Sequence, residues 1–454
     1  MTFAREVAEA ALSAASEEQA EVVVLAERSG LARFAASEVH QPTLIENVVV
    51  NLRVVRDGRV GSAQTNRLDE AGLAELAGRA AEAAESVRAE PGFPGLPGPE
   101  PTPEVEGYDE TTAVLEPADL ARLARAAIEA VEPTPVYGFV TSGATEIAVV
   151  STSGIAVEQR LTDTLALIVA ADETASGYAE QTAWRLDAID PSAVAREAAA
   201  KMARTRDAKT IEPAHYRAVL EPYAVGELLQ HFAYDSFSAL GLIEQRSFLA
   251  GKLGTKVFDE RISIADDALD PAGLPKSFDF EGVPKQRVPL IENGVARGVV
   301  WDRETAALAG GDARSTGHAP PLLSRDYGPL PFALTVAPGE ADSVEELAEL
   351  VGDGIYITRL HYLSTVAARD GVITGMTRDG TFRIRGGQIA EPLANLRFTV
   401  SVPEMLAEVP GLTSRVALLN QNDFYGERYP FGVLAPALAT ARFTISGVGS
   451  SPGI

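Results

Sequence analysis

Leu220-Glu221-Pro222-Tyr223-Ala224-Val225-Gly226-Glu227-Leu228-Leu229-Gln230-His231-Phe232-Ala233-Tyr234-Asp235 is the stretch on which the reading of this chain turns. Proline fits the first turn of a helix, where its missing N–H is not needed, and the apolar residues after it recur at helical spacing. One long helix is expected over residues 223–240. It carries a single histidine, His231. A lone histidine on an apolar helix is more often a packed residue than a ligand, because zinc requires several converging N, S or O donors.

The sequence downstream of this helix is different in kind. Short apolar runs alternate with glycine turns, Asn293-Gly294 and Asp379-Gly380 give the strongest hairpin signals, and residues 343–350 read as an interposed helix. Residues 212–454 are therefore expected to form a β-rich, barrel-like C-terminal domain entered by the long helix. Upstream, residues 111–211 form a strand-rich middle segment. Its helices are expected at 120–131 and 193–204, and its short strands at 146–150, 155–161, 165–171 and 177–184, with Ser153-Gly154 as a turn.

Residues 90–110 hold Pro91, Pro94, Pro97, Pro99 and Pro101, a density that precludes helix and central strand and marks a linker. Residues 1–89 read as an N-terminal α/β domain. It begins with a helix carrying Phe3, Val7, Ala8, Ala11 and Leu12, followed by strands at 21–26 and 48–55 and a hairpin at Asp57-Gly58. A helix over 69–88 with Asp69 as N-cap closes it. The fold class expected is α+β.

Composition excludes several functions. The 454 residues contain no cysteine, which removes disulfides, thiolate nucleophiles and Cys-ligated metals, and the only histidines are His40, His215, His231, His318 and His361. A formal net charge of −25 with no basic run repels nucleic-acid phosphates, so no nucleic-acid partner is expected. No apolar run reaches the about 18 to 20 residues needed to span a bilayer. The acid-containing N-terminus lacks the pattern of a secretory signal, so a cytoplasmic protein is expected, with no membrane partner.

At the long helix the chain resembles the TldD/PmbA family. There a Leu-x-Pro-x-x-x-Gly-x-Leu-Leu lead-in precedes His-Glu-x-x-x-His, and Leu220, Pro222, Gly226, Leu228 and Leu229 match that lead-in. The motif positions themselves fall on Gln230, His231 and Asp235, and the family's C-terminal cysteine falls on Phe431. The first-domain stretch from Arg33 to Gln41, Ser315-Thr316-Gly317-His318-Ala319, and the stretches from Thr358 to Leu363 and from Thr374 to Phe382 extend the likeness, the second of these toward the TldE/PmbA branch.

The resemblance implies a TldE/PmbA-like, non-catalytic subunit of a heteromeric TldD/TldE-type zinc metallopeptidase acting on small or unfolded peptides. It implies no cofactor and no metal in this chain, with zinc in a TldD-like partner subunit, and no catalytic residue at the degenerate positions Gln230, His231 and Asp235. Restoring the motif would be insufficient, since two histidines five residues apart on a straight helix are rotated ~140° beyond one turn.

Ser315 and His318 do not make a triad readable from sequence, and residues 311–317 lack the lysine of a P-loop. His231, Asp235, Arg314 and His318 are the candidates for lining a peptide cleft. A metal-free binding module of the same fold, a homodimer and an enzyme with non-zinc chemistry are the alternatives.

Overall fold

The apolar run at residues 21–26 is consecutive rather than alternating because the strand it belongs to is buried on both faces. In the computed structural model, which describes residues 1–89, 93–421 and 427–449, this run lies in β1 (Gln19–Ala35). Val22 and Val24 pack beneath α1 (Phe3–Ala14) and α2 (Glu70–Ser86). Val23 and Leu25, pointing the other way, meet Phe278, Phe280, Phe332 and Tyr429 of the C-terminal part. Asp69 caps α2 through the Gly72 N–H at 3.2 Å, as its sequence position suggests.

β1 joins β2 (Glu38–Arg56), β3 (Arg59–Thr65), β4 (Val136–Ser151), β5 (Ala156–Ala171) and β6 (Ser176–Ala183) in one antiparallel sheet of order β3-β2-β1-β4-β5-β6. The N-terminal and middle segments thus share a sheet along the β1–β4 pairing. Asp57 and Gly58, both at positive φ, turn β2 into β3. After the short α3 (Glu110–Ala113), helices α4 (Pro117–Glu129) and α5 (Pro191–Arg204) cover the second half of the sheet, burying Leu120, Ala124, Val194 and Met202.

Of the short middle strands expected from sequence, that at 177–184 is β6, while those at 146–150, 155–161 and 165–171 are parts of two long ones, β4 and β5. The polar residues that seem to interrupt them, Thr141 on β4 and Asp163 on β5, are buried and hydrogen-bonded to Arg428. Of the proline-rich stretch, residues 90–92 lie outside the described residues. Residues 93–99 have neither helix nor strand and lie against both halves of the molecule. The Pro94 carbonyl accepts from Arg303 at 3.3 Å and the Pro97 carbonyl from Ser153 Oγ.

The second sheet has eleven strands among the described residues. They are β7 (Ala214–Leu220), β8 (Ile264–Asp266), β9 (Val288–Glu292), β10 (Val295–Ala296), β11 (Ala333–Val336), β12 (Gly354–Ala367), β13 (Val372–Arg385), β14 (Gln388–Leu393), β15 (Leu396–Ser401), β16 (Gly411–Asn420) and β17 (Gly432–Val448). Pairings run β17-β15-β13-β12-β7 and return from β7 to β17, while β8 to β11 extend outward as an arm. Three residue pairs between β15 and β17 complete the circuit, so the domain is barrel-like without being a fully closed barrel. The helix expected at 343–350 is found at Val344–Val351, capped by Ser343, and Asn293-Gly294 turns β9 into β10 as read from sequence.

Two expectations need correction. Asp379-Gly380 is not a hairpin turn: both residues have positive φ, but they form a bulge inside β13, which continues pairing with β12 on either side. The long helix, α6 (Pro222–Ser236), stops short of residue 240. Phe237 leaves the helix because its carbonyl accepts the Val300 N–H at 2.9 Å, and a separate short helix follows at Ala239–Ile243.

α6 lies at the centre of the largest core cluster, with Val225, Leu228, Leu229 and Phe232 buried. Gly226 is needed there, since a Cβ would fall 2.1 Å from Leu419 Cδ1 on β16. No helix among the described residues is long and apolar enough to cross a membrane.

Candidate functional site: a trough between helix α6, strand β12 and edge strand β6

α6 is buried except along one stripe, where Glu227, His231 and Asp235 recur every four residues. β12 runs beside this stripe. Glu227 Oε2 accepts the Leu360 N–H at 2.8 Å. A turn and more further on, the Thr365 hydroxyl donates to Asp235 Oδ2 at 3.1 Å and lies 3.2 Å from His231 Nε2. Asp235 is also held by Arg246 at 3.0 Å. Burial lowers the His231 pKa, offset in part by Asp235.

Gln230 faces the other way. It is buried, and its side-chain amide donates to the Pro331 carbonyl at 3.4 Å. Phe431 packs its ring on the neighbouring Phe332, with centroids 5.1 Å apart. Residues 331 and 332 therefore fill the space between the two positions. A zinc centre needs about three converging ligands and an acid-base group beside its water. A buried neutral amide, an aromatic ring and a carboxylate already held by Arg246 and Thr365 do not fit one. Among the described residues no group of three or more His, Cys, Asp or Glu side chains is placed to hold a metal ion.

At the opposite end of the stripe is a cluster that the sequence did not reveal. Arg359 on β12 donates from Nε to Asp379 Oδ2 at 2.7 Å, and its guanidinium lies over the Tyr178 ring, 4.0 Å from the centroid. Tyr178 Oη donates to Glu180 Oε2 at 2.6 Å. Glu180, on edge strand β6, and Glu227, on α6, flank the same guanidinium.

Burial pushes the Glu227 carboxyl up to about 8 against the pull of Arg359 and the Leu360 N–H. Burial likewise raises Glu180 to about 7, opposed by Tyr178, Arg359 and the Asn420 N–H. His361, two residues beyond Arg359, is lowered to about 4 by burial and by Arg378 and Arg359. Glu180, Glu227 and Arg359 are enclosed by three elements yet each keeps some solvent contact.

Of the cleft candidates read from sequence, the structure brings His231 and Asp235 together at this trough. Arg314 is exposed and donates to the Ala313 and Gly311 carbonyls of its own loop. His318 is fully buried, bound through Nε2 to Asp266 Oδ1 at 2.8 Å and through Nδ1 to Thr316 Oγ1 at 2.9 Å. Burial and Lys285 lower its pKa. It has no face open to a cleft.

The missed residue on the motif helix was Glu227. Its signal was position: four residues before His231, it shares the one stripe of an otherwise apolar helix.

The molecule is thus an α+β protein in which a buried helix presents a polar stripe to a trough between two sheets. Family models agree along the chain. PmbA/TldA metallopeptidase domain 1 matches residues 20–84, the central domain 108–206 and the C-terminal domain 213–447. The chain belongs to the PmbA/TldD family.

A "Metalloprotease" of Methanothermobacter thermautotrophicus is 29% identical over 235 residues, covering 50% of this chain and 49% of the relative. A "Zinc metalloprotease TldD homolog" of Saccharolobus solfataricus is 26% identical over 244 residues, covering 52% and 53%. The chain spans about half the length of each of these curated relatives. Among solved structures, TldE from Thermococcus kodakarensis superposes with a TM-score of 0.84 at 20% identity, covering 97% of this chain and 99% of that one. A Thermotoga maritima protein named as a candidate modulator of a DNA gyrase also gives 0.84, at 21% identity and coverage of 98% and 100%. At these identities the likeness is one of fold.

Proposed function

We propose that this chain is the metal-free, TldE/PmbA-like subunit of a heteromeric TldD/TldE-type metallopeptidase. In this reading it is not catalytic alone. It holds small or unfolded peptides while a zinc-bearing TldD-like partner hydrolyses them, in the cytoplasm.

The observation that carries the reading is the filled motif site. The positions that resemble the family's metal ligands are Gln230 and Phe431, and the 331–332 segment packs against both. A scaffold that keeps its shape while its metal positions are taken over by packing retains a use for its surfaces rather than for hydrolysis, since function resides in sites and not in the fold. The likeness to a TldE, though one of fold, fits this reading.

Two strand edges beside the trough support a peptide-holding role. β6 is the edge strand of its sheet, and β12 pairs with β7 only through residues 355–357. The Glu180 N–H and carbonyl are taken by Tyr223 Oη and the Tyr178 carbonyl by Lys201, so an extended backbone would add to the remaining stretch of these edges, with little regard to side-chain sequence.

The reading is tested by mixing the purified chain with a zinc-bearing TldD-like protein and measuring mass by light scattering. A heteromeric complex is expected, with zinc found in the partner by elemental analysis. Two species that stay separate at micromolar concentration would count against the subunit role and favour a homodimer or a self-standing binding module.

A further inference from the structure

We infer that Arg359 is the anchor for a substrate carboxylate in the trough, and that it recognises the free C-terminus or an acidic side chain of a bound peptide. This rests on the reading that the chain handles peptides and goes further by naming the group it grips.

The guanidinium is fixed before any ligand arrives. Nε is tied to the buried Asp379 carboxylate at 2.7 Å and the plane is stacked on Tyr178 at 4.0 Å. What remains are the two terminal NH2 groups, which have no hydrogen-bond partner among the described residues. The side chain keeps 13% of its surface exposed, so these groups are within reach of a ligand.

A planar pair of N–H donors held in one orientation matches the two oxygens of a carboxylate, and such bidentate bonds are shorter and stronger than neutral ones. Unpaired donors this deeply enclosed are costly to leave without a partner. Asp379 engages only one edge of the fork.

The neighbours bear on selectivity. Facing Arg359 are Asp379 and the cross-strand neighbour Arg378 from β13, Glu227 from α6, Tyr178 and Glu180 from β6, and His361 from its own strand. A doubly charged phosphate would meet three carboxyl groups, with Arg378 already drawn to Asp379 at 3.7 Å. A single carboxylate is better matched, above all when Glu227 and Glu180 hold their protons. Burial favours those protonated forms at neutral pH, with values of about 8 and about 7. Carboxylate binding should therefore weaken as the pH rises from 6 to 8.5.

The test uses the isolated full chain and calorimetric titration, so that it is independent of any partner. Three hexapeptides are compared at pH 6 and pH 8.5. One has a free C-terminus and no acidic residue, one is amidated and carries a glutamate, and one is amidated and neutral. At least one carboxylate-bearing peptide should bind at least about tenfold tighter than the neutral one, as expected for a charge-assisted pair. Which of the two binds identifies the source of the carboxylate.

Arg359→Lys keeps the charge but loses the fork, and should lower that preference by about tenfold. Glu227→Gln should raise affinity at pH 8.5 above that of the wild type, though not to the pH 6 value because Glu180 still ionises, and such a gain cannot come from misfolding. Equal binding of all three peptides, or a Glu227→Gln variant that binds no better at pH 8.5, would overturn the assignment. If preference for the carboxylate persists while mixing with a TldD-like protein gives no complex, the subunit reading fails and this inference stands.

Discussion

Two of the regions of this molecule that concentrate buried ionisable groups differ in one respect. Beneath the first sheet, Asp163, Asp266, His318, Lys276, Lys285 and Arg428 are all within a few per cent of full burial. Arg428 donates to both Asp163 carboxylate oxygens at 2.7 and 2.8 Å, to the Asp163 carbonyl, and to Ser29 and Thr141. Burial lowers Lys276 to about 7, with Lys285 adding to the effect. The trough has comparably displaced groups in Glu180, Glu227 and His361, but they keep solvent contact, and Arg359 has donors to spare. Displaced protonation alone does not mark a site. Access combined with an unspent donor does.

The largest effect should come from breaking the sealed region. Arg428→Ala leaves the enclosed Asp163 carboxyl without its partner, and removing one partner of a buried pair costs about 3 to 5 kcal/mol. Because Arg428 belongs to the C-terminal part and Asp163 to the first sheet, denaturant unfolding should show a lowered midpoint or two separated transitions. A loss below about 1 kcal/mol would mean that the sealed layer is not what joins the two halves.

The trough should respond in the opposite direction. Glu227 has a folded-state value of about 8, above its ordinary 4.5, so the folded protein binds the extra proton between these limits. Its contribution is complete below pH 4.5 and is lost as pH rises through about 8. Relative to Glu227→Gln, the wild type should lose about 2 kcal/mol between pH 6.5 and 8.5, at about 1.4 kcal/mol per pKa unit. Comparing the variant with the wild type cancels the opposing contribution of Lys276, whose lowered value makes stability rise with pH above about 7. Parallel stability curves for the two proteins would place Glu227 in an ordinary solvated setting.

The smallest effect is expected at the degenerate motif. The triple variant Gln230→His, His231→Glu, Asp235→His should take up no stoichiometric zinc by elemental analysis and should not hydrolyse peptide above the wild-type background. Residue 230 points at Pro331 while 231 and 235 point at Thr365, and Phe431 still fills the remaining position. Robust hydrolysis would show that the packing around residues 331–332 gives way more easily than the contacts suggest.

Much of the fold is legible in the sequence because local signals govern it. Asp69 at a helix start and Asp57-Gly58 between two strands each act through their immediate neighbours. Asp379-Gly380 carries the same signal as Asp57-Gly58 and misleads, because positive φ is compatible with a bulge as well as a reversal, and the β12 partner selects the bulge. Thr141 and Asp163 look like strand breaks because their partner, Arg428, lies 287 and 265 residues away. The same distance effect hides the trough. Glu227, Glu180 and Arg359 come from a helix and two strands in different sheets, and an acid on a helix reads as a solvated face until those strands are placed against it.

The most direct measurement is peptide cleavage with three samples: this chain alone, a zinc-bearing TldD-like relative alone, and the two together. The account predicts no hydrolysis from this chain, little from the relative, and cleavage of unfolded peptide only from the mixture. Cleavage by this chain alone after metal removal, or full activity from the relative with no change on mixing, would contradict it.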